Sequence, residues 1–304
     1  MNHRAQIRFL PDGNRLHMQD GPIDLIVEAF GAVSEVKAAF RAAAMRFVEV
    51  LDELCGELAF LRRSASNGSR LPSGVVARRM FAAVQPYAPM TFITPMAAVA
   101  GAVAEEILAV MTSNANLSRA YVNDGGDIAL HLSAGERFVV GMVERPDRTS
   151  LSGTTLFGTT TIDFSDSIRG IATSGWRGRS FSFGIADAVT VLADTAAMAD
   201  AAATVIANAV DLQGHPNILR TPACELETDS DLGTRLVTCS VGELTADDVS
   251  RALGNGVEVA KSLRDLKLIR AAALDLQGTI QVVGGDCFSR LADNPVADRS
   301  AVHA

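Results

Sequence analysis

Residues 189–210 read VTVLADTAAMADAAATVIANAV. The β-branched and aliphatic start suits a strand over Ala188–Leu192. Asp194-Thr195 breaks that run, and the alanine-rich stretch Thr195–Val210 then reads as a helix. On the helix Asp200 and Thr204 stand four residues apart, so both project from one face. A carboxylate and a hydroxyl so placed make a hard-oxygen pair suited to Mg²⁺ that also carries phosphate oxygens and water. The competing reading is local: Thr204 bonds back into its own helix, and Asp200 complements a helix N-terminus.

Upstream, Ile7 and Phe9, then Leu16, flank the turn cluster Pro11-Asp12-Gly13-Asn14, and Ile23–Phe30 reads as a further strand. Ser34 is the expected cap of a long helix with the apolar stripe Val36, Phe40, Phe47, Leu51, Leu54, Leu58 and Leu61. A polar loop over Ser64–Gly74 precedes a short helix at Val75–Val84. Thr94-Pro95 opens a helix to Met111 that is rich in small residues along Ala97–Gly101. A strand at Tyr121-Val122 runs into Asn123–Asp127, and Ile128–Leu132 with Phe138–Val143 is expected to form a hairpin. Strands are expected at Thr159–Phe164, Ile168–Thr173, Leu236–Val241, Ala272–Leu276 and Thr279–Val283, with a Thr245-capped helix over Asp247–Leu263. Mixed elements with frequent hairpins and little βαβ regularity mean α+β: antiparallel and mixed sheets with packed helices. Residues 1–285 read as one domain, or two intertwined subdomains, and 286–304 as a flexible tail.

The chain has 304 residues, 48% apolar and 20% charged, which is the composition of a folded globular protein. Its 27 basic and 35 acidic residues leave a net charge of −8. That balance opposes both phosphate-backbone binding and docking on an anionic membrane, so neither nucleic acid nor membrane is an expected partner. Cys55, Cys224, Cys239 and Cys287 lie far apart with no metal-knuckle spacing, and read as buried reduced thiols. The first residues lack an apolar export segment, and the apolar run at Pro95–Ala104 stops at Glu105-Glu106, too short to span a bilayer. A cytoplasmic setting is the expectation.

Dinucleotide, Walker, nucleophile-elbow and HExxH patterns are all absent from the sequence. Two small-residue segments join the Asp200 helix as candidates. In VNDGGDI (122–128) paired glycines let backbone amides approach a ligand, or else form an ordinary tight turn. In GIATSG (170–175) a strand ends in hydroxyls that suit phosphate or ribose, or simply terminates. Trp176, the single tryptophan, is either a stacking surface for a flat ring or a core aromatic. His215, in a GHPN loop, either faces a ligand or is structural.

Taken in order, PMAAVAGAVAEE (95–106), VNDGGDI, GIATSG and the 189–209 strand–helix resemble the ApbE-like family, and most closely its shorter branch. The resemblance runs from about Thr94 to Val210. Named members are FAD:protein FMN transferases, which split FAD and attach FMN to a Ser or Thr of a target protein with Mg²⁺. The resemblance implies cofactor contacts at Asn123, Gly125, Gly126, Thr173, Ser174 and Gly175. It also implies Mg²⁺ on Asp200, Thr204 and the Ala97 carbonyl. Two departures stand out. Ala100 occupies the position of a lysine in the transferases, and GWRGRSFSFGIADA (175–188) replaces their His-Ile-Ile-Asp-Pro segment. Arg177 and Arg179 are then the expected cationic contacts to phosphate. Asp127 and Asp187 are the carboxylates available to take a proton from an acceptor hydroxyl. The implied ligand is FAD or FMN, with an acceptor protein and a homodimer as partners. A binding module without turnover, or an enzyme on another small phosphorylated substrate, are the alternatives.

Overall fold

The computed structural model describes residues 4–65, 71–143, 156–285, 289–290 and 302–303. Strands β1 (Gln6–Phe9), β2 (Leu16–Asp20) and β3 (Ile23–Gly31) lead into the long helix α1 (Val33–Leu61). Helices α2 (Val75–Val84) and α3 (Val99–Asn114) follow, then β4 (Leu117–Asp124), β5 (Asp127–Leu132), β6 (Arg137–Val143), β7 (Leu156–Asp163), β8 (Gly170–Ser174) and β9 (Ala188–Ala193). Helix α4 (Ala196–Ala209) precedes β10 (Ile218–Pro222), the single turn α5 (Ala223–Leu226) and β11 (Leu236–Val241). Helix α6 (Ala246–Asp265) and the strands β12 (Ala271–Leu276) and β13 (Thr279–Val283) come next. The α+β class is what the sequence implies.

The chain divides into two compact units, each built from three segments. One takes Met1–Phe138, Ile162–Ala172 and Ala193–Asp200; the other takes Val139–Thr161, Thr173–Leu192 and Ala201–Ala304. In the first, β1 to β5 form an antiparallel meander, and β8 joins it beside β5. Strand β3 alternates strictly, burying Ile23, Leu25, Val27 and Ala29, the period expected of a sheet with one covered face. Helix α1 packs on β2 and β3, and α3 on β4 and β5. In the second unit β12 pairs antiparallel with both β9 and β13. Every residue of β9 and β12 is buried, and α6 packs on β12 and β13.

Several expectations shift. Helix α1 starts two residues earlier than expected, capped by the extended backbone of Ala32 with no side-chain bond, so Ser34 is not its cap. The helix expected from Pro95 begins as a 3₁₀ turn at Pro95–Ala98 before α3 proper. Strands β5 and β6 make no hairpin: β5 lies between β4 and β8, while β6 belongs to another sheet with β7. Strand β10 lacks alternation and was not legible; it pairs with β11 across a bulge at Leu219/Arg220. Thr245 does cap α6, in a reciprocal capping box with Asp248. Within the expected tail, Ser289–Arg290 pairs with β7 and Val302–His303 with β6, and its other residues beyond 285 lie outside the described ones. Cys55 is exposed rather than buried, Cys224 and Cys239 are free and partly exposed, and Cys287 lies outside the described residues.

Helical backbone from Pro95 to Asn114 is long and apolar enough to cross a membrane by length and composition, which corrects the shorter span read at Pro95–Ala104. Half of it is buried inside the protein. Its acidic pair is engaged there. Glu106 accepts from Arg46 Nε at 2.8 Å, and Glu105 accepts from Arg79 Nη1 at 3.2 Å.

Glycine sets how close α4 comes to its neighbours. In the first unit a Cβ on Gly101 of α3 would lie 2.4 Å from the Ala196 carbonyl oxygen, and one on Gly170 of β8 2.1 Å from the Thr195 carbonyl carbon. In the second, a Cβ on Gly184 would lie 2.0 Å from the Ala207 carbonyl oxygen. These are backbone obstacles that no rotamer can relieve. Gly170→Ala should therefore destabilise by about 2 kcal/mol or more. Gly254→Ala, mid-α6 with nothing within 4 Å of the new methyl, should stabilise by about 0.5–1 kcal/mol. Denaturant melts of the two variants check the contrast, and equal effects would mean the backbone contact at Gly170 is not as close as described.

Candidate functional site

The first unit brings α3 and α4 together at their N-termini. The break at Ala98 (φ −135°, ψ 19°) separates the 3₁₀ turn from α3, leaving the first-turn amides of α3 without helical partners. Asp200 of α4 takes them: its Oδ2 accepts from Gly101 N–H at 3.0 Å, and the Ala100 amide also points to the carboxylate. The arrangement is reciprocal. Glu105 of α3 accepts from Ala197 N–H, in the first turn of α4, at 2.7 Å. Each helix thus supplies an acid to the positive end of the other.

Burial opposes the charge on Asp200, and the nearby Asp124 carboxylate opposes it further. Against the two amides, these effects push the Asp200 carboxyl up to about 7. Asp124 is itself almost fully buried, at the end of β4, and its Oδ1 lies 3.4 Å from the Asp24 amide. The local pattern marks Asp124 as a turn residue. The signal was its strand period, which sets Asp124 on the buried face of Ala120 and Val122.

Between β4 and β5, Gly125 (φ 63°) and Gly126 (φ 116°) make a two-residue hairpin turn, as positive φ at both positions requires. Asn123 Oδ1 accepts from Gly126 N–H at 2.8 Å, so this side chain works in the turn itself. Asp127 opposes Asp124 in the β4–β5 register and is partly exposed. The Ala97 residue lies in the 3₁₀ turn and is partly exposed.

The remaining candidates belong to the second unit. Thr204 is partly exposed, and its hydroxyl makes no hydrogen bond among the described residues, so the local back-bonded reading does not hold. Thr173 and Thr190 hydroxyls bond at 2.9 Å, and Ser174 ends β8 partly exposed. A Cβ on Gly175 would lie 2.4 Å from the Asp187 carbonyl oxygen, which brings the following loop onto the start of β9. There the buried Asp187 carboxylate accepts three bonds. They come from Trp176 Nε1 at 3.1 Å, Arg177 Nε at 2.5 Å and the Gln277 amide at 2.6 Å. Arg179 is exposed. Ser182 donates to Asn208 Oδ1 and accepts from Gly184 N–H, anchoring the end of the loop to α4. His215 accepts from the Asn217 amide and faces Asp248 at 3.4 Å, a structural arrangement.

The raised Asp200 carboxyl makes a signed prediction. Charging it works against the fold as pH climbs from the ordinary carboxylate value, 3.8, towards 7. Asp200→Asn removes the ionisation and keeps an oxygen for the Gly101 amide. Its melting temperature should exceed that of the unmodified protein by several degrees at pH 8, and the gap should close as pH falls towards 4. Calorimetry across this range checks it; a gap independent of pH would mean that the carboxylate carries its charge at no cost.

The sequence pattern of the family described as "AbpE bacteria" matches residues 7–282. A UPF0280 protein of Methanopyrus kandleri is 39% identical over 134 residues, 44% of this chain and 48% of that protein. One from Methanocaldococcus jannaschii is 39% identical over 118 residues, 38% of this chain and 45% of its own length. The matched stretch thus spans about half the length of these relatives. Among solved structures, the flavin transferase ApbE from Vibrio cholerae gives a TM-score of 0.48 at 11% identity, covering 88% of this chain and 96% of its own. The flavinyl transferase ApbE of Pseudomonas stutzeri gives 0.44 at 10% identity, covering 92% and 93%. With the family pattern matched along nearly its whole length, this chain belongs to the family described as "AbpE bacteria".

Proposed function

We propose that the protein binds a flavin nucleotide through its diphosphate with Mg²⁺, and transfers the FMN phosphoryl group to a hydroxyl of an acceptor protein. The observation that carries this reading is the Asp200 carboxyl, aligned by α3 amides yet set beside Asp124 and short of positive charge. A divalent cation is the counter-charge this arrangement lacks.

The donor chemistry fits Mg²⁺. Asp200, the Thr204 hydroxyl one turn along α4 and the Ala97 carbonyl are hard oxygens. Among the described residues no group of three or more His, Cys, Asp and Glu could hold a metal on its own. Mg²⁺ needs no such cage, since it takes one or two carboxylates and completes its shell with water and substrate phosphate. When bound, it neutralises the diphosphate and polarises the phosphoryl oxygen. The chain's own residues do the rest. Thr173 and Ser174 offer hydroxyls to ribose and phosphate. The glycine turn at Gly125-Gly126, held by Asn123, admits the ligand close to the backbone. Asp127 receives the proton of the acceptor hydroxyl as the new O–P bond forms and AMP departs. Asp187, with three donors on its carboxylate, positions Trp176 and Arg177 instead, and Arg177 and Arg179 offer positive charge to phosphate.

That missing side-chain cation favours a second reading, in which the same residues hold the nucleotide without turnover. FAD and Mg²⁺ with the purified protein separate the two. Transfer releases AMP; binding alone shifts the melting temperature without AMP. Mg²⁺ should raise the melting temperature in the presence of FAD for the unmodified protein and not for Asp200→Ala. Absence of any flavin-dependent shift would remove both readings.

A further inference from the structure

We infer that Arg177 is a preset fork for a phosphate or diphosphate oxyanion, with Asp187 and Trp176 as its positioning residues. The inference deepens the flavin-nucleotide reading by naming the group that takes the ligand's anionic end, but its geometry stands on the second unit alone.

Three observations converge. First, Arg177 gives only its Nε to the protein, to Asp187 Oδ1 at 2.5 Å. Its two terminal nitrogens have no other hydrogen-bond partner among the described residues. The side chain is 29% exposed, so the residue is not sealed in the core, and its Nε edge is held. A guanidinium in that pose offers two parallel N–H groups, the match for two oxygens of one phosphoryl group. Second, the guanidinium lies over the Trp176 ring, 4.4 Å from its centroid, which restricts rotation about the remaining side-chain bonds. Third, the holder is itself rigid. Asp187 is 8% exposed, and its carboxylate also takes Trp176 Nε1 and the Gln277 amide. Gln277 (φ 50°) and Gly278 (φ 81°) form the tight turn between β12 and β13, so the carboxylate is fixed against a sheet hairpin.

Asp187 engages only the Nε of this guanidinium, so the terminal N–H groups remain geometrically available to a ligand. Lysine could not replace this device, because one ammonium on a flexible stem cannot hold Asp187, stack on the indole and present two parallel donors together.

Trp176 is the chain's one tryptophan, so its emission reports this loop without any turnover. Inorganic pyrophosphate titrated into the full-length protein should give a saturable change in that emission. Arg177→Ala should weaken the apparent affinity about tenfold or more, and Arg177→Lys should fail to restore it. Asp187→Asn should weaken it several-fold and also shift the ligand-free emission, because the acceptor of the indole N–H changes. Unchanged pyrophosphate affinity in Arg177→Ala and Arg177→Lys, with native melting behaviour, would overturn the inference; so would a flat titration of the unmodified protein. Parallel titrations with riboflavin, FMN and FAD keep this result apart from the flavin reading. Arg177-dependent pyrophosphate binding without flavin binding leaves the fork standing and removes the flavin. Flavin-nucleotide binding of equal strength in Arg177→Ala keeps the flavin and removes the fork.

Discussion

Two helices that cap one another organise the first unit. Asp200 of α4 receives the amides at the start of α3, and Glu105 of α3 receives an amide at the start of α4. A helix N-terminus carries unpaired donors and a partial positive charge, so bringing two of them together would ordinarily repel. An acid from each side turns that repulsion into a pair of charge-assisted hydrogen bonds. The contact is possible because Gly101 and Gly170 leave room for the α4 backbone where any Cβ would collide. Glu105 is tied onward to Arg79, and its neighbour Glu106 to Arg46, so this acidic pair of α3 is anchored to α2 and α1.

Asp200 and Glu105 look alike as caps and differ in electrostatics. Glu105 has an arginine beside it, whereas the charged neighbour of Asp200 is another carboxylate, Asp124. The fold thus holds one capping acid with its counter-charge and one without. A structural cap has no need of that deficit, and burying a carboxyl beside a like charge costs stability.

The second unit handles charge in the opposite way. Asp187 is saturated by three donors and Arg177 is left with an open edge. The loop that carries them departs from the ApbE-like pattern, yet it is anchored at both ends by backbone contacts, Gly175 against Asp187 and Gly184 against Ala207. Its conformation is dictated by close backbone approach, with the charged side chains arranged on a fixed frame.

Local information determined a good deal by itself. The extents of α2, β11 and β13 were readable because each is a short, largely apolar run set between polar or turn residues. The Thr245 cap, the glycine turn and the Asp200–Thr204 spacing were readable for the same reason: these are relations among residues within one turn or two. Tertiary structure alone decided the rest. That β5 pairs with β8 rather than β6 depends on which strand arrives beside it, and no local period encodes a partner. That Asp200 caps α3, that Asp124 crowds it and that Asp187 saturates itself on Trp176, Arg177 and Gln277 all join residues far apart in the chain. Charge and hydrogen bonding act through space, so the proton affinity of a carboxyl and the free edge of a guanidinium exist only once the fold has chosen their neighbours.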